Sequence, residues 1–346
     1  MVTDKIYQDR TIIGVANLEN GNDITTLACH DSGEYIFCGK DNGSVALYSA
    51  ETGTEIKILY NHGKGIMVTY LAYQKHSDVI ASGDAANRLL VWRIIIKDHL
   101  TVEGPLLDVH IANSHSIRQL VLDTTNERIL VSTNASDTVY DIGSGHHESS
   151  TFPERLPWKW VAHPCDSTKL IHITTQALYI CSWDDLSKLS FKMDLTLDMD
   201  MNVEMLVRNV TACSYGSKLT VEYASASSLK PASHTLILEL KDLEEPFVNM
   251  PGLPSAFVKL SSKIRYIIGS LGGKLLFLDQ QMWVCSLDLE NFRGEYSRHF
   301  FIPDDWLSVN RGMILKVTSK SDLVFVKKDE VAIIKGGLIY NEVVLV

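Results

Sequence analysis

An all-β chain of repeated four-stranded meanders, folded as one seven-bladed propeller, is what this sequence predicts, and three observations predict it. Apolar runs of strand length follow one another from end to end, punctuated by clusters of Gly, Asn, Asp and Ser that favour tight turns. The unit of four runs recurs: its third run closes on an aromatic at Tyr48, Trp92, Tyr140 and Trp183, at intervals of 44, 48 and 43 residues. Helical periodicity is nearly absent, with only a short turn expected near Asp304–Asn310.

The first unit shows the logic. Ile24–Cys29, Glu34–Gly39, Ser44–Ser49 and Glu55–Tyr60 have strand length and composition. Between them lie His30-Asp31-Ser32-Gly33, Lys40-Asp41-Asn42-Gly43 and Ala50-Glu51-Thr52-Gly53. Gly reaches positive φ at no steric cost, and Asp, Asn and Ser bond to nearby backbone, so each linker reads as a hairpin turn. Four strands joined by three hairpins make one antiparallel blade.

Later units repeat it. Ile80–Gly83 precedes Leu89–Trp92; Arg128–Thr133 precedes Thr138–Asp141; Lys169–Thr174 precedes Leu178–Asp184, which contains a literal Trp183-Asp184. A fifth unit is drawn from Val203–Arg208, Lys218–Tyr223 and Thr235–Leu240, with a Ser-rich loop before the last run. The sixth takes Ala256–Leu260, Arg265–Gly269, Lys274–Asp279 and Met282–Leu287 as its four strands, which puts Gly272-Gly273 in the same turn as Asn42-Gly43. The seventh takes Met313–Thr318, Asp322–Lys327 and Val331–Lys335. Blades therefore fall at about 24–60, 66–111, 117–152, 158–197, 203–241, 255–289 and 313–346 of a single domain covering 1–346. Either 338–346 or the N-terminal 11–18 supplies the last blade's fourth strand. The alternative is six blades with an extra C-terminal sheet.

These segments resemble WD repeats, most closely over Ile24–Trp183. Cys38–Ser49 (CGKDNGSVALYS) follows the family pattern of small residues, Asp-Gly-type turn, alternating apolar residues and terminal aromatic. Asn61-His62-Gly63 stands where a WD repeat carries Gly-His, with Trp92 following His62 at 30 residues. More narrowly, the chain resembles the C-terminal propeller region of large fungal NACHT-type signal-transduction NTPases. The carrying stretches are Thr11–His30, Asp78–Arg93, Ser114–Asp123, Leu130–Ile142 and Arg298–Ser308. That resemblance implies a sensing or autoinhibitory propeller. The WD family stiffens its blades with a His-Ser-Asp-Trp tetrad. Six residues before the aromatic this chain has Asn42, Ala86 and Gly272 in place of Asp, so the second blade has His62, Ser82 and Trp92 but no carboxylate at that spacing. Blades held more by apolar packing than by polar networks are the expectation.

Gly63-Lys64 and Gly273-Lys274 lack the flanking residues of a phosphate-cradling loop, so no nucleotide switch is expected. Gly143-Ser144-Gly145 has the wrong spacing for a nucleophile elbow. A hydrolase with its site at the central channel stays as the alternative function, because triads are recognised by geometry. His146-His147-Glu148 reads as a solvated surface loop, since adjacent residues on an extended chain point to opposite sides. Trp158 and Trp160 alternate as on a strand and read as packing against the next blade. The six cysteines include no Cys-x-x-Cys pair and read as small buried hydrophobes in a reducing compartment.

Net charge is −10, from 32 basic and 42 acidic residues with the signs interspersed, which argues against direct nucleic-acid binding. No apolar run is long enough to span a membrane. The function expected is a non-catalytic protein-interaction scaffold: no catalytic residues, no cofactor, no metal, other proteins as partners, a monomer, a cytoplasmic location. Loops between rigid sheets carry binding. The expected partner-binding residues are Lys40, Asp41, His62, Lys64, Arg88 and His115 on second-to-third-strand turns and inter-blade loops, with Trp306 on the last linker.

Overall fold

The computed structural model describes residues 12–13, 23–74, 78–97, 99–112, 115–150, 158–195, 205–213, 217–225, 233–240, 260, 263–290, 295–303, 314–327, 330–338 and 342–345. These form two compact units, one built from 1–151 and 305–337, the other from 152–304 and 338–346. Seven antiparallel sheets are present among the described residues, four in the first unit and three in the second.

In the first unit, β1 (Ile12–Ile13) belongs to the last sheet. Sheet one follows as β2 (Ile24–Cys29), β3 (Tyr35–Lys40), β4 (Ser44–Ser49) and β5 (Glu55–Asn61). Sheet two is β6 (Val68–Tyr73), β7 (Val79–Asp84), β8 (Arg88–Ile96) and β9 (Leu100–His110). Sheet three is β10 (Ile117–Leu122), β11 (Arg128–Thr133), β12 (Asp137–Asp141) and β13 (His147–Ser150).

The second unit holds sheet four as β14 (Lys159–Ala162), β15 (Lys169–Ile173), β16 (Ala177–Ser182) and β17 (Leu189–Asp194). Sheet five is β18 (Met205–Ala212), β19 (Lys218–Ser225) and β20 (Ser233–Glu239). Sheet six is β21 (Ile264–Leu271), β22 (Lys274–Asp279), β23 (Trp283–Asp288) and β24 (Glu295–Phe301). Sheet seven, in the first unit, is β25 (Ile314–Val317), β26 (Leu323–Lys327) and β27 (Glu330–Ile334). Its fourth strand is β1, with Ile12 opposite Ile334 and Ile13 opposite Ile333. The C-terminal β28 (Glu342–Leu345) instead extends sheet six as a fifth strand against β24.

Burial explains why inner strands read as near-continuous apolar runs. Successive side chains on a strand face opposite ways, so a sheet covered on both sides buries all of them. On β3, Ile36 and Cys38 pack with Val324 and Ile333 of sheet seven, whereas Phe37 packs with Val68 and Ile80 of sheet two. Sheet two meets sheet three in the same way through Ala81, Val91, Ile117 and Val131. In the second unit, Ile171 and Ile180 meet Leu219 and Val221, and Cys213 and Ile237 meet Ile267 and Phe277. Outer strands alternate with solvent instead, as in β17.

Several sequence expectations are corrected here. Sheet six begins one strand later than expected: Arg265–Gly269 lies in its first strand, not its second, and its fourth strand ends at Phe301. Gly272-Gly273 therefore turns the first hairpin. The turn matching Asn42-Gly43 is Gln280–Met282, where the Asp279 carboxylate accepts the N–H groups of Gln281 and Trp283 and Met282 takes a positive φ. Trp183 is two residues past the repeating aromatic position. Tyr48 pairs with Ile36, Tyr140 with Ile129, and at the same register Cys181 pairs with Leu170. The Trp183 N–H instead repeats the closing bond that Ala50 and Ile142 make. His147 and Glu148 belong to a strand rather than a loop, with the His147 ring 5.2 Å from Tyr140. The turn expected at 304–310 and nearly all of Ala256–Leu260 lie outside the described residues.

Candidate functional site

The second-to-third-strand turns and the loops between sheets one, two and three are tied into one end of the first unit. The Gly65 N–H donates to the Asn42 carbonyl at 3.0 Å and the His62 N–H to Gly43 at 2.9 Å. The Ala85 N–H donates to Met67 at 2.8 Å, Ile111 to Asn87 at 2.9 Å, and Asn134 to Ser116 at 3.1 Å. Each link satisfies a backbone group that a loop would otherwise leave to water. The result is a run of five loop segments, each bonded to the next.

One glycine is required for this closure. Gly43 has φ +94°, and a Cβ placed there would lie 2.2 Å from the Gly63 carbonyl oxygen. Any side chain would push the sheet-one turn off the following loop.

Beneath the loops lies a buried polar chain. The Asp84 carboxylate can only accept, so His62 donates through Nδ1 to Oδ2 at 2.9 Å. His62 Nε2, 2.7 Å from Ser82 Oγ, then accepts the serine hydroxyl, whose other acceptor, the Leu90 carbonyl, is farther at 3.4 Å. The Tyr60 hydroxyl completes the chain by donating to Ser82 Oγ at 3.0 Å. Burial opposes ionisation of Asp84, but the hydrogen bonds from His62 and from the Arg88 and Ala86 N–H groups outweigh it and hold the carboxyl below its ordinary range. Burial pushes the Tyr60 phenol up, so it stays a donor. This overturns the expectation that the second blade lacks a carboxylate: Asp84 supplies it from the end of β7. Trp92, expected as the fourth member, stacks on Tyr60 at 4.9 Å, and the bond to Ser82 comes from the Tyr60 hydroxyl.

The expected binding residues divide accordingly. Asp41, Lys64, Arg88 and His115 are brought to the looped end and are partly or fully exposed. Arg88 is fixed there: its Nε and Nη2 donate to the two Asp108 carboxylate oxygens at 2.8 and 2.6 Å, and its Nη1 donates to the His62 carbonyl at 3.0 Å. Lys40 and His62 are corrections. Lys40 is 4% exposed, ion-paired to Glu55 and lying over the Tyr48 ring, while His62 is 3% exposed within the chain just described. Neither presents a charge to a partner. Trp306 lies outside the described residues. The sequence reading missed Met67, 40% exposed between the two tied loops, and Asp108, whose role depends on a 20-residue separation from Arg88. The Trp158–Trp160 pair, expected to pack against the next blade, places both rings against His172 of β15 in its own sheet.

Comparison with protein-family models and with curated proteins gives no match. Solved structures do match. The Cps50 (Swd1) β-propeller domain of Myceliophteria thermophila superposes with a TM-score of 0.60 at 10% identity, covering 94% of this chain and 99% of that domain. The Pan2 WD40 domain of Neurospora crassa gives 0.61 at 8% identity, covering 91% of this chain and 90% of that one. With seven sheets in hand, these likenesses show the fold: an all-β, seven-bladed WD40-type propeller.

Proposed function

We propose that this propeller is a non-catalytic scaffold that binds another protein through the looped end of the first unit, around Lys64, Met67 and the Arg88–Asp108 pair. The observation that carries the reading is the hydrogen-bonded tying of five loop segments into one preorganised surface that includes an exposed methionine, Met67. A rigid surface loses little entropy on binding, and Met adapts to varied apolar partners. The sequence resemblance to fungal NACHT-type signalling proteins supports a sensing role, and we place the protein in the cytoplasm as a monomeric propeller.

The hydrolase alternative has one geometric argument: Ser82, His62 and Asp84 stand in the order of a catalytic triad. What supports the non-catalytic reading is that all three are buried and that Tyr60 already donates to the serine oxygen. Affinity capture with the full chain at near-physiological salt, beside a folded Lys64→Glu/Met67→Asp variant, tests the scaffold. Proteins recovered by the first and lost by the second are expected. Recovery of none, together with ester hydrolysis abolished by Ser82→Ala, would reverse the assignment.

A further inference from the structure

The innermost strands carry a repeated irregularity that the scaffold role does not use. In each of β2, β6, β10, β18 and β21 an extra residue interrupts the pairing near the start of the strand, Thr25, Thr69, Arg118, Arg208 and Arg265 in turn, and β21 has a second at Ile268. A bulge turns its side chain out of the regular alternation, and bulges often mark functional positions. In the second unit the bulges of two adjacent sheets both carry arginine.

One of the two arginines, Arg208, meets both a buried acid and the backbone of the other. Arg208, with 43% of its side chain exposed, donates through Nη1 to Glu222 Oε1 at 3.1 Å and to the Arg265 carbonyl at 3.2 Å. Its guanidinium therefore leans over the Arg265 backbone. Glu222 is fully buried on β19, and its Oε2 accepts the Ile267 N–H at 3.4 Å. The exposed Arg265 directs Nη1 at the Met282 sulfur, 3.0 Å away, a weak acceptor for so strong a donor. Among the described residues no carboxylate lies within ion-pair distance of Arg265; Asp279, across the same strands, is held by Arg298 through two N–H groups.

We propose that Arg208 and Arg265 form a binding site for a small tetrahedral dianion of the phosphate or sulfate type, with Glu222 setting how much of the Arg208 charge is free to meet it. Planar guanidinium groups present paired donors that match such oxyanions. Two arginine charges against a neutral Glu222 leave a surplus of two, equal to the ligand's charge; an ionised Glu222 cancels half of it. Burial, opposed by Arg208 and by the Ile267 N–H, pushes the Glu222 carboxyl up to about 7. The groups facing it are Arg208 from β18, Tyr266 from β21, whose phenol burial keeps neutral, and the uncharged Thr235 opposite it on β20. The site gains charge as pH falls through neutrality.

Calorimetric titration of the full chain with sodium sulfate, ionic strength being held by chloride, tests this, because sulfate keeps both charges across the window. The expected result is specific binding that tightens about tenfold from pH 8 to pH 6. Arg265→Gln should weaken it about tenfold at both values, and Glu222→Gln should bind at pH 8 as the natural chain binds at pH 6. Arg208→Gln alone strands a buried carboxylate, so the Arg208→Gln/Glu222→Gln double variant carries that arm, with about tenfold weaker binding than Glu222→Gln alone. Inorganic phosphate should compete with sulfate. Binding no stronger than chloride, or binding that Arg265→Gln and the double variant leave intact, would overturn the site. Equal affinity at the two pH values would remove Glu222 from it.

Discussion

Two buried histidines solve the same problem in opposite ways. His62, in the first unit, is wired into a polar chain that runs from Tyr60 through Ser82 to Asp84. His172, on the central β15 of the second unit, sits among rings instead: Trp160 at 4.3 Å, Tyr179 at 5.6 Å and Trp158 at 6.1 Å. Burial alone pushes the His172 imidazole down to about 3. The difference teaches that a propeller sheet can be stiffened by directional bonds or by aromatic packing, and that each leaves a different signature in stability. A polar chain is worth its cost only when every member is satisfied, so it should fail sharply when one is removed. A ring stack should fail gradually.

The sharpest test of that contrast removes the carboxylate. Asp84→Ala leaves the His62 Nδ1–H and the Ala86 and Arg88 N–H groups without their acceptor, and should lower unfolding free energy by about 3 kcal/mol or more in a urea titration. A loss below about 1 kcal/mol would put the two histidines on the same footing.

Acid should expose the second histidine. The folded-state value of His172 lies below its ordinary 6.5, so its contribution is complete above 6.5 and is lost as pH falls toward 3. His172→Leu should cost about 1 kcal/mol at pH 7 and outlast the natural chain by about 2 kcal/mol at pH 4, as read by chemical denaturation. Parallel pH curves for the two proteins would contradict the ring-packed, neutral imidazole.

Gly43→Ala asks whether the loop bonds above His62 matter. The clash with the Gly63 carbonyl and the positive φ together predict a loss of about 2 kcal/mol, with faster amide exchange at His62 and Gly65. The smallest change is Tyr60→Phe, which keeps the stack on Trp92 but deletes the donor to Ser82. It should cost about 1 kcal/mol, because Ser82 can still donate to His62.

Most of the first unit was legible because its turns announce themselves. Asn42-Gly43 and the His30–Gly33 segment fix strand ends to within a residue, and Tyr48, Trp92 and Tyr140 mark a true register. Legibility failed where side chains replaced that chemistry. Asp279 does the work of a turn glycine for Gln280–Met282, so Gly272-Gly273 looked like the stronger signal and shifted sheet six by a strand. Asp84 lies eight residues before Trp92 rather than six, because it caps the turn from the end of β7 rather than from within it. Lys40 was read as exposed from its type alone; Glu55, brought alongside through β4, makes its burial tolerable. The bulge arginines could not be read at all, since an unpaired residue appears only once partner strands are aligned.

The most direct measurement of where this propeller works is photo-cross-linking in the cell, with a photoreactive residue placed at Lys64 or Ala86 in the first unit, or at Leu189 or Lys192 in the second. Leu189 is a fair rival, being an exposed apolar side chain on an outer strand. The same protein covalently captured from positions 64 and 86, and from neither 189 nor 192, is the predicted result. Capture from 189 and 192 alone would contradict the assignment.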